Sequence, residues 1–110
     1  MNVLNRGFIT VKQKQAFWNW ANTIDTELQF SEEDDLEPTV YLITEDFFDI
    51  EPLIEQHFKK IFKNEICAIT EDEDLWPVER NIDVFLSWFE INVGSMVFDL
   101  EKSNIVSDKI

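Results

Sequence analysis

Glycine and proline are scarce in this chain: two glycines and three prolines in 110 residues. That scarcity excludes collagen-like, linker-rich and low-complexity architectures. It also excludes a glycine-rich phosphate loop, because the glycines stand far apart at positions 7 and 94. Cys67 is the single cysteine, so no intrachain disulfide can form, which fits a reducing cytoplasm or simply a protein that needs no staple. His57 is the single histidine, and one His with one Cys does not make a metal-ligand set. No stretch approaches the roughly 18 apolar residues of a membrane span. The first residues, MNVLNRGFITVKQK, lack the apolar core and small-residue cleavage site of a signal peptide.

Positive charge is the most conspicuous shortage. Nine Lys and Arg face 23 Asp and Glu, for a net charge of −14. Between Gln15 and Phe58 there is no basic residue, but there are twelve acids. Such a field repels nucleic-acid phosphates and anionic membranes and attracts basic proteins or cations. The one basic cluster, Lys59, Lys60 and Lys63, falls on the polar side of a helical pattern, with Glu55 spaced to pair with Lys59.

Apolar material is ample. Ten Phe and four Trp contribute to a 45% apolar content, enough for a core without metal or disulfide staples. The length suits one domain over 1–102, with SNIVSDKI (103–110) as a frayed tail.

The patterning predicts three helices. The first runs from about Val11 to Asn22, opened by the capping-box spacing of Thr10 and Gln13 and carrying Phe17, Trp20, Ala21 and Ile24 on one stripe. The second starts after Asp49, with Pro52 in its first turn. Ile50, Leu53, Ile54, His57, Phe58, Ile61 and Phe62 form its stripe, and Asn64 is its left-handed stop. The third starts near Trp76-Pro77, with Ile82, Phe85, Leu86, Phe89 and Val93 as its stripe and Gly94 as its stop. Strands are expected at GFI (7–9), TVYLIT (39–44, covered on both faces), EICAIT (65–70) and SMVFDL (95–100). A short edge strand around Leu28 and Phe30 fits their alternation, and SEEDD (31–35) reads as a solvated loop.

The tetrapeptide ITED occurs at 43–46 and again at 69–72. Each copy ends an apolar run and precedes a proline and a helical pattern, which suggests a repeated strand–loop–helix unit. Such units imply parallel strands with right-handed crossovers. The expected fold is therefore a compact α/β domain, three helices on a three- to four-stranded, at least partly parallel sheet. An α+β domain with a mixed sheet is the alternative.

This topology would bring both ITED segments to one sheet edge. Glu45 and Asp46 would then join Glu71, Asp72, Glu73 and Asp74, with Trp76 on the same rim as a cation–π receptor for Lys or Arg. The bland account is that acids near helix N-termini are stabilised by the dipole and exposed N–H groups, by about 0.3–1 kcal/mol each. A calcium loop is not supported, since EDEDLWPVE lacks the central Gly. GSM at 94–96 is no nucleophile elbow, and a Cys67–His57 pair is disfavoured if the thiol is buried. Trp18, Val84 and Trp88 fall on the flanks of their stripes. They either seal helix packing or form a self-association patch for a homodimer.

The residues thus point to a small, acidic, cytoplasmic, non-enzymatic module that binds a basic protein partner, without cofactor or metal. An inhibitor or immunity-type protein that neutralises a basic enzyme fits this charge and size, by analogy and not by sequence match. A divalent-cation or small hydrolytic domain using the same carboxylates is the competing expectation.

Overall fold

A computed structural model of the chain describes residues 1–27, 29–34 and 36–110. The order is β1 (Asn2–Leu4), β2 (Gly7–Gln13), α1 (Gln15–Ile24), β3 (Thr39–Ile43), α2 (Ile50–Cys67), a 3₁₀ turn (Glu73–Leu75), α3 (Ile82–Trp88), β4 (Phe89–Gly94) and β5 (Val97–Asp99). One sheet has the order β3-β2-β4, and β1 pairs with β5 in a second. Among the described residues all pairings are antiparallel. The fold is therefore α+β, the alternative of the sequence reading, and the parallel crossovers are corrected.

The correction traces to EICAIT. Glu65, Ile66 and Cys67 belong to α2, so the second β-strand of the supposed repeat is helix. The apolar stripe Phe58, Ile61 and Phe62 continues through Glu65 and Ile66 at helical spacing, and neither Gly nor Pro interrupts it. Asn64 does not stop the helix, and no described non-glycine residue has positive φ.

The other differences are also physical. Residues 7–13 alternate buried and half-buried, so Val11 to Gln13 extend β2 and the first helix begins only at Gln15. The third helix starts at Ile82, where the Asn81 side chain accepts from the Val84 N–H at 2.9 Å. It ends at Trp88. Phe89 and Val93 are four residues apart, a spacing that fits one helix face and one strand face equally well, and here they lie in β4. Gly94 is a strand residue without positive φ; a Cβ there would overlap the Phe8 ring. β3 is an edge strand covered on one face only, since Ile43 is buried while Val40 and Leu42 are exposed. Phe30 lies outside any strand, and Leu28 falls outside the described residues.

The core lies between the inner face of the larger sheet and the three helices. Ile9 and Val11 of β2 meet Phe17 and Ala21, Leu53 to Ile66 on α2, and Phe85 and Phe89. Phe17, Phe62, Phe85 and Phe89 are all essentially buried. Their rings step through the core, with centroids 5.4 Å apart for Phe17–Phe89, 5.5 Å for Phe62–Phe89 and 5.1 Å for Phe85–Phe89. Such pairs add about 0.5–1.5 kcal/mol each beyond their area.

Candidate functional site

α2 separates the two ITED segments. It has 18 residues, which at about 1.5 Å per residue spans about 27 Å. The first copy ends β3 ahead of the helix, and the second follows the helix's last turn. Glu45 and Asp46 therefore do not share an edge with Glu71, Asp72, Glu73 and Asp74, although all six are exposed.

The two copies do share a local structure. The Thr44 hydroxyl accepts from the Asp46 N–H at 3.3 Å, and the Thr70 hydroxyl accepts from the Asp72 N–H at 3.1 Å. A Ser/Thr side chain that accepts two residues on makes a compact turn. In the second copy Asp72 also accepts from the Asp74 N–H at 3.1 Å and starts the 3₁₀ turn.

Trp76 does not stand as the sequence suggested, whereas Trp18 and Trp88 take the packing alternative. Trp76 is half-buried, and its indole N–H donates to the Thr70 carbonyl at 3.0 Å. The chain's own Arg80 guanidinium lies 5.5 Å from its ring centroid. The cation–π position expected for a partner is thus occupied from within. Trp18 is buried against Phe17 and Phe30. Val84 and Trp88 are half-buried, and Trp88 packs on Trp20 and Phe62. Trp18, Val84 and Trp88 therefore seal the interior and do not form one exposed patch.

An aromatic among acids does occur, at a residue the sequence reading passed over. Phe47 and Phe48 follow the first ITED. Phe47 turns inward and packs on the core, while Phe48 is fully exposed at 104%. Glu45, Asp46, Asp49 and Glu51 around it are exposed as well. The FF pair in a tight turn was the available signal, because adjacent side chains on a short connection cannot both face one core. Phe48 adjoins Ile50, Glu51 and Pro52, which also border an open apolar groove of about 660 Å³ between α2, α3 and β4 that Phe48 itself does not line. Ile50, Ile54, Ile82 and Leu86 line it, and Glu51 and Glu55 are the charged residues along it.

Glu65 is the other feature the sequence reading missed. It is buried, at 4% exposure, where α2 meets β2 and β3. The Tyr41 hydroxyl donates to one carboxyl oxygen at 2.6 Å, and the Gln13 amide donates to the other at 2.8 Å. The Asn64 amide donates to the Tyr41 oxygen at 3.0 Å. Burial pushes the Glu65 carboxyl above its ordinary range, and the hydrogen bonds it accepts pull it back in part. Burial likewise raises the Tyr41 hydroxyl. The cluster ties three elements together.

His57 is half-buried on α2, and Cys67 ends the same helix. Ten residues of helix separate them by about 15 Å, so they form no nucleophile pair. Among the described residues no three His, Cys, Asp or Glu side chains are grouped to hold a metal ion, and no helix is long and apolar enough to cross a membrane. No protein-family model matches the chain, and no curated protein or solved structure matches it either.

Proposed function

We propose that the chain is a non-enzymatic cytoplasmic module that binds a basic protein partner, and that the contact centres on Phe48. The observation that carries this reading is a fully exposed aromatic ring set among Glu45, Asp46, Asp49 and Glu51, adjoining residues that border an apolar groove. The acids would steer a Lys- or Arg-rich partner to the turn. Phe48 and the groove would then bury apolar surface, which fixes the partner in place. Glu71, Asp72, Glu73 and Asp74, at the far end of α2, would contribute to the long-range field rather than to the contact. The competing reading, a cation or hydrolytic site built from both acidic turns, loses support because α2 holds the turns apart.

A labelled peptide carrying Leu at helical spacing among Lys residues tests this by fluorescence anisotropy. Binding is expected at low salt, with weakening as ionic strength rises past about 0.15 M, where the screening length is about 8 Å. Phe48→Ala should weaken it about tenfold, the equivalent of about 1.4 kcal/mol. Reversal of Glu71 and Asp72 to Lys should slow association without changing dissociation. Affinity indifferent to both salt and Phe48 would defeat the reading.

A further inference from the structure

Three of the chain's nine basic residues line a single pocket. Lys59 and Lys63 stand one turn apart on the exposed face of α2. Arg80 reaches in from the segment before α3, held by a hydrogen bond from its guanidinium to the Pro77 carbonyl at 2.9 Å. Phe62 and Trp76 complete the lining, which contains no acid, and the space is about 360 Å³. The indole bond to Thr70 and the Arg80 stack fix the Trp76 ring. Like charges at this helical spacing repel slightly, and Glu55, spaced to pair with Lys59, does not line the pocket. Three cations around a half-buried indole suit carboxylates that flank an apolar or aromatic group.

The chain itself presents that group at Phe48. The ring precedes α2 by two residues, whereas Lys59 and Lys63 sit nine and thirteen residues into the helix from Ile50. That is about 14–20 Å along the axis, so a turn cannot reach the pocket of its own chain. We propose that the Lys59–Lys63–Arg80 pocket seats the Phe48 turn of a second copy. The phenyl ring enters beside the half-buried Trp76 and the aliphatic stems of Lys59 and Lys63, and Glu45, Asp46 and Asp49 meet the three cations. The interface is head-to-tail, so it propagates beyond a dimer unless the rotation closes a ring.

This inference rests on the reading of the Phe48 turn as a contact surface, and it adds regulation to it. Self-association covers the ring offered to the basic partner, so the two events exclude each other. At −14 per copy, long-range repulsion opposes association, but charges in contact lie within the screening length of about 8 Å at physiological ionic strength. Self-association is therefore strongest at intermediate salt. It weakens at very low salt through repulsion and at high salt through loss of the contacts.

Sedimentation of two complementary variants tests the proposal. Phe48→Ala removes the knob and keeps the pocket. Lys59→Glu with Lys63→Glu removes the pocket and keeps the knob. All three positions are exposed on the surface, and circular dichroism checks that each variant keeps the wild-type fold. Wild type should show concentration-dependent dimers and longer species, and each variant alone should lose at least tenfold in association. An equimolar mixture of the two should recover a dimer and nothing larger. A wild type that stays monomeric at about 1 mM, the limit for a weak interface, overturns the proposal. So does a mixture that stays monomeric, or a variant that associates like wild type. The basic peptide described above separates the two readings: binding to a monomeric wild type leaves the module and removes the homotypic contact. Self-association without peptide binding does the reverse.

Discussion

Glu65 gives the most demanding test of how this fold is held. Replacement by Leu fills the volume with apolar atoms but strands two donors, the Tyr41 hydroxyl and the Gln13 amide. A buried polar group that loses its partner costs about 1–3 kcal/mol, and both donors here are only half-buried, so the lower end applies to each. Glu65→Leu should therefore destabilise by about 2–3 kcal/mol. Tyr41→Phe removes the shortest hydrogen bond to the carboxyl and should cost about 1–2 kcal/mol. Once Glu65 is Leu, the tyrosine hydroxyl no longer has its acceptor, and its removal is nearly neutral. The double variant should thus fall short of the sum by about 1–2 kcal/mol. Urea unfolding followed by circular dichroism measures all four corners of the cycle, with unchanged m-values as the check on two-state behaviour. Additivity within about 0.5 kcal/mol, the agreement typical of independent sites, would refute the coupling. The same residue sets a pH dependence. Burial raises the Glu65 carboxyl above its ordinary value of 4.5. Above that value the native state binds more protons than the unfolded chain. The stability of the neutral form is therefore complete below pH 4.5 and is lost as pH rises through the folded value. Glu65→Gln lacks this titration, so wild-type stability minus that of the variant should fall from pH 4.5 towards neutrality. A difference that is flat or rising would show that the hydrogen bonds, and not burial, dominate the carboxyl.

Two further contrasts probe the sheet end and the repeated turn. A Cβ at Gly7 would lie 2.8 Å from the Gly94 carbonyl oxygen and 2.9 Å from that of Thr44, both backbone, whereas one at Gly94 would meet only the half-exposed Phe8 ring. Gly7→Ala should therefore cost about 2–3 kcal/mol and Gly94→Ala about 1 kcal/mol or less. Thermal melting resolves this at about 4–8 °C per kcal/mol, and the opposite ranking would count against the strand placement. Thr70 is half-buried, and its turn docks Trp76, while Thr44 is exposed with the longer hydrogen bond. Thr70→Val should cost about 1 kcal/mol and Thr44→Val a few tenths. Equal costs in urea unfolding would mean that the Trp76 contact contributes nothing.

Features decided by short-range chemistry were legible in the sequence. β3 and β5 follow from β-rich runs, and the start of α2 follows from Pro52 in its first turn, with Asp49 at the N-cap position but making no side-chain cap hydrogen bond. Its stripe to Phe62 was equally plain. The later boundaries were not, because two periods matched the same residues. Phe85, Phe89 and Val93 fit a helix face, and Phe89, Ile91 and Val93 fit a strand face. Only pairing with β2, across Val11↔Ile91 and Ile9↔Val93, decides between them. β1 depends on β5 from the other end of the chain, a contact that no local pattern carries. Trp18 and Trp88, at the flanks of their stripes, left open whether they faced solvent. They face inward because α1 packs on α3, and Phe30 closes over Trp18.

The candidate site turned on one residue. A helix with Asn64 as its left-handed stop leaves EICAIT free to be a strand. A parallel sheet then follows, and both acidic turns share its edge. Glu65 is instead an acid whose partners, Tyr41 and Gln13, lie 24 and 52 residues away in the chain. With those hydrogen bonds it can occupy the apolar face, and α2 continues to Cys67. The extra turn places the second ITED beyond the far end of the helix and separates the acidic clusters. Trp76 then meets Arg80 from its own chain, and Phe48 stands alone among the acids at the near end. The repeated tetrapeptide therefore specifies a hydrogen-bonded turn in both places, Thr hydroxyl to the N–H two residues on. Where each turn lies, and so which aromatic its acids surround, is set by the helix between them and by the buried acid that lets that helix run its full length.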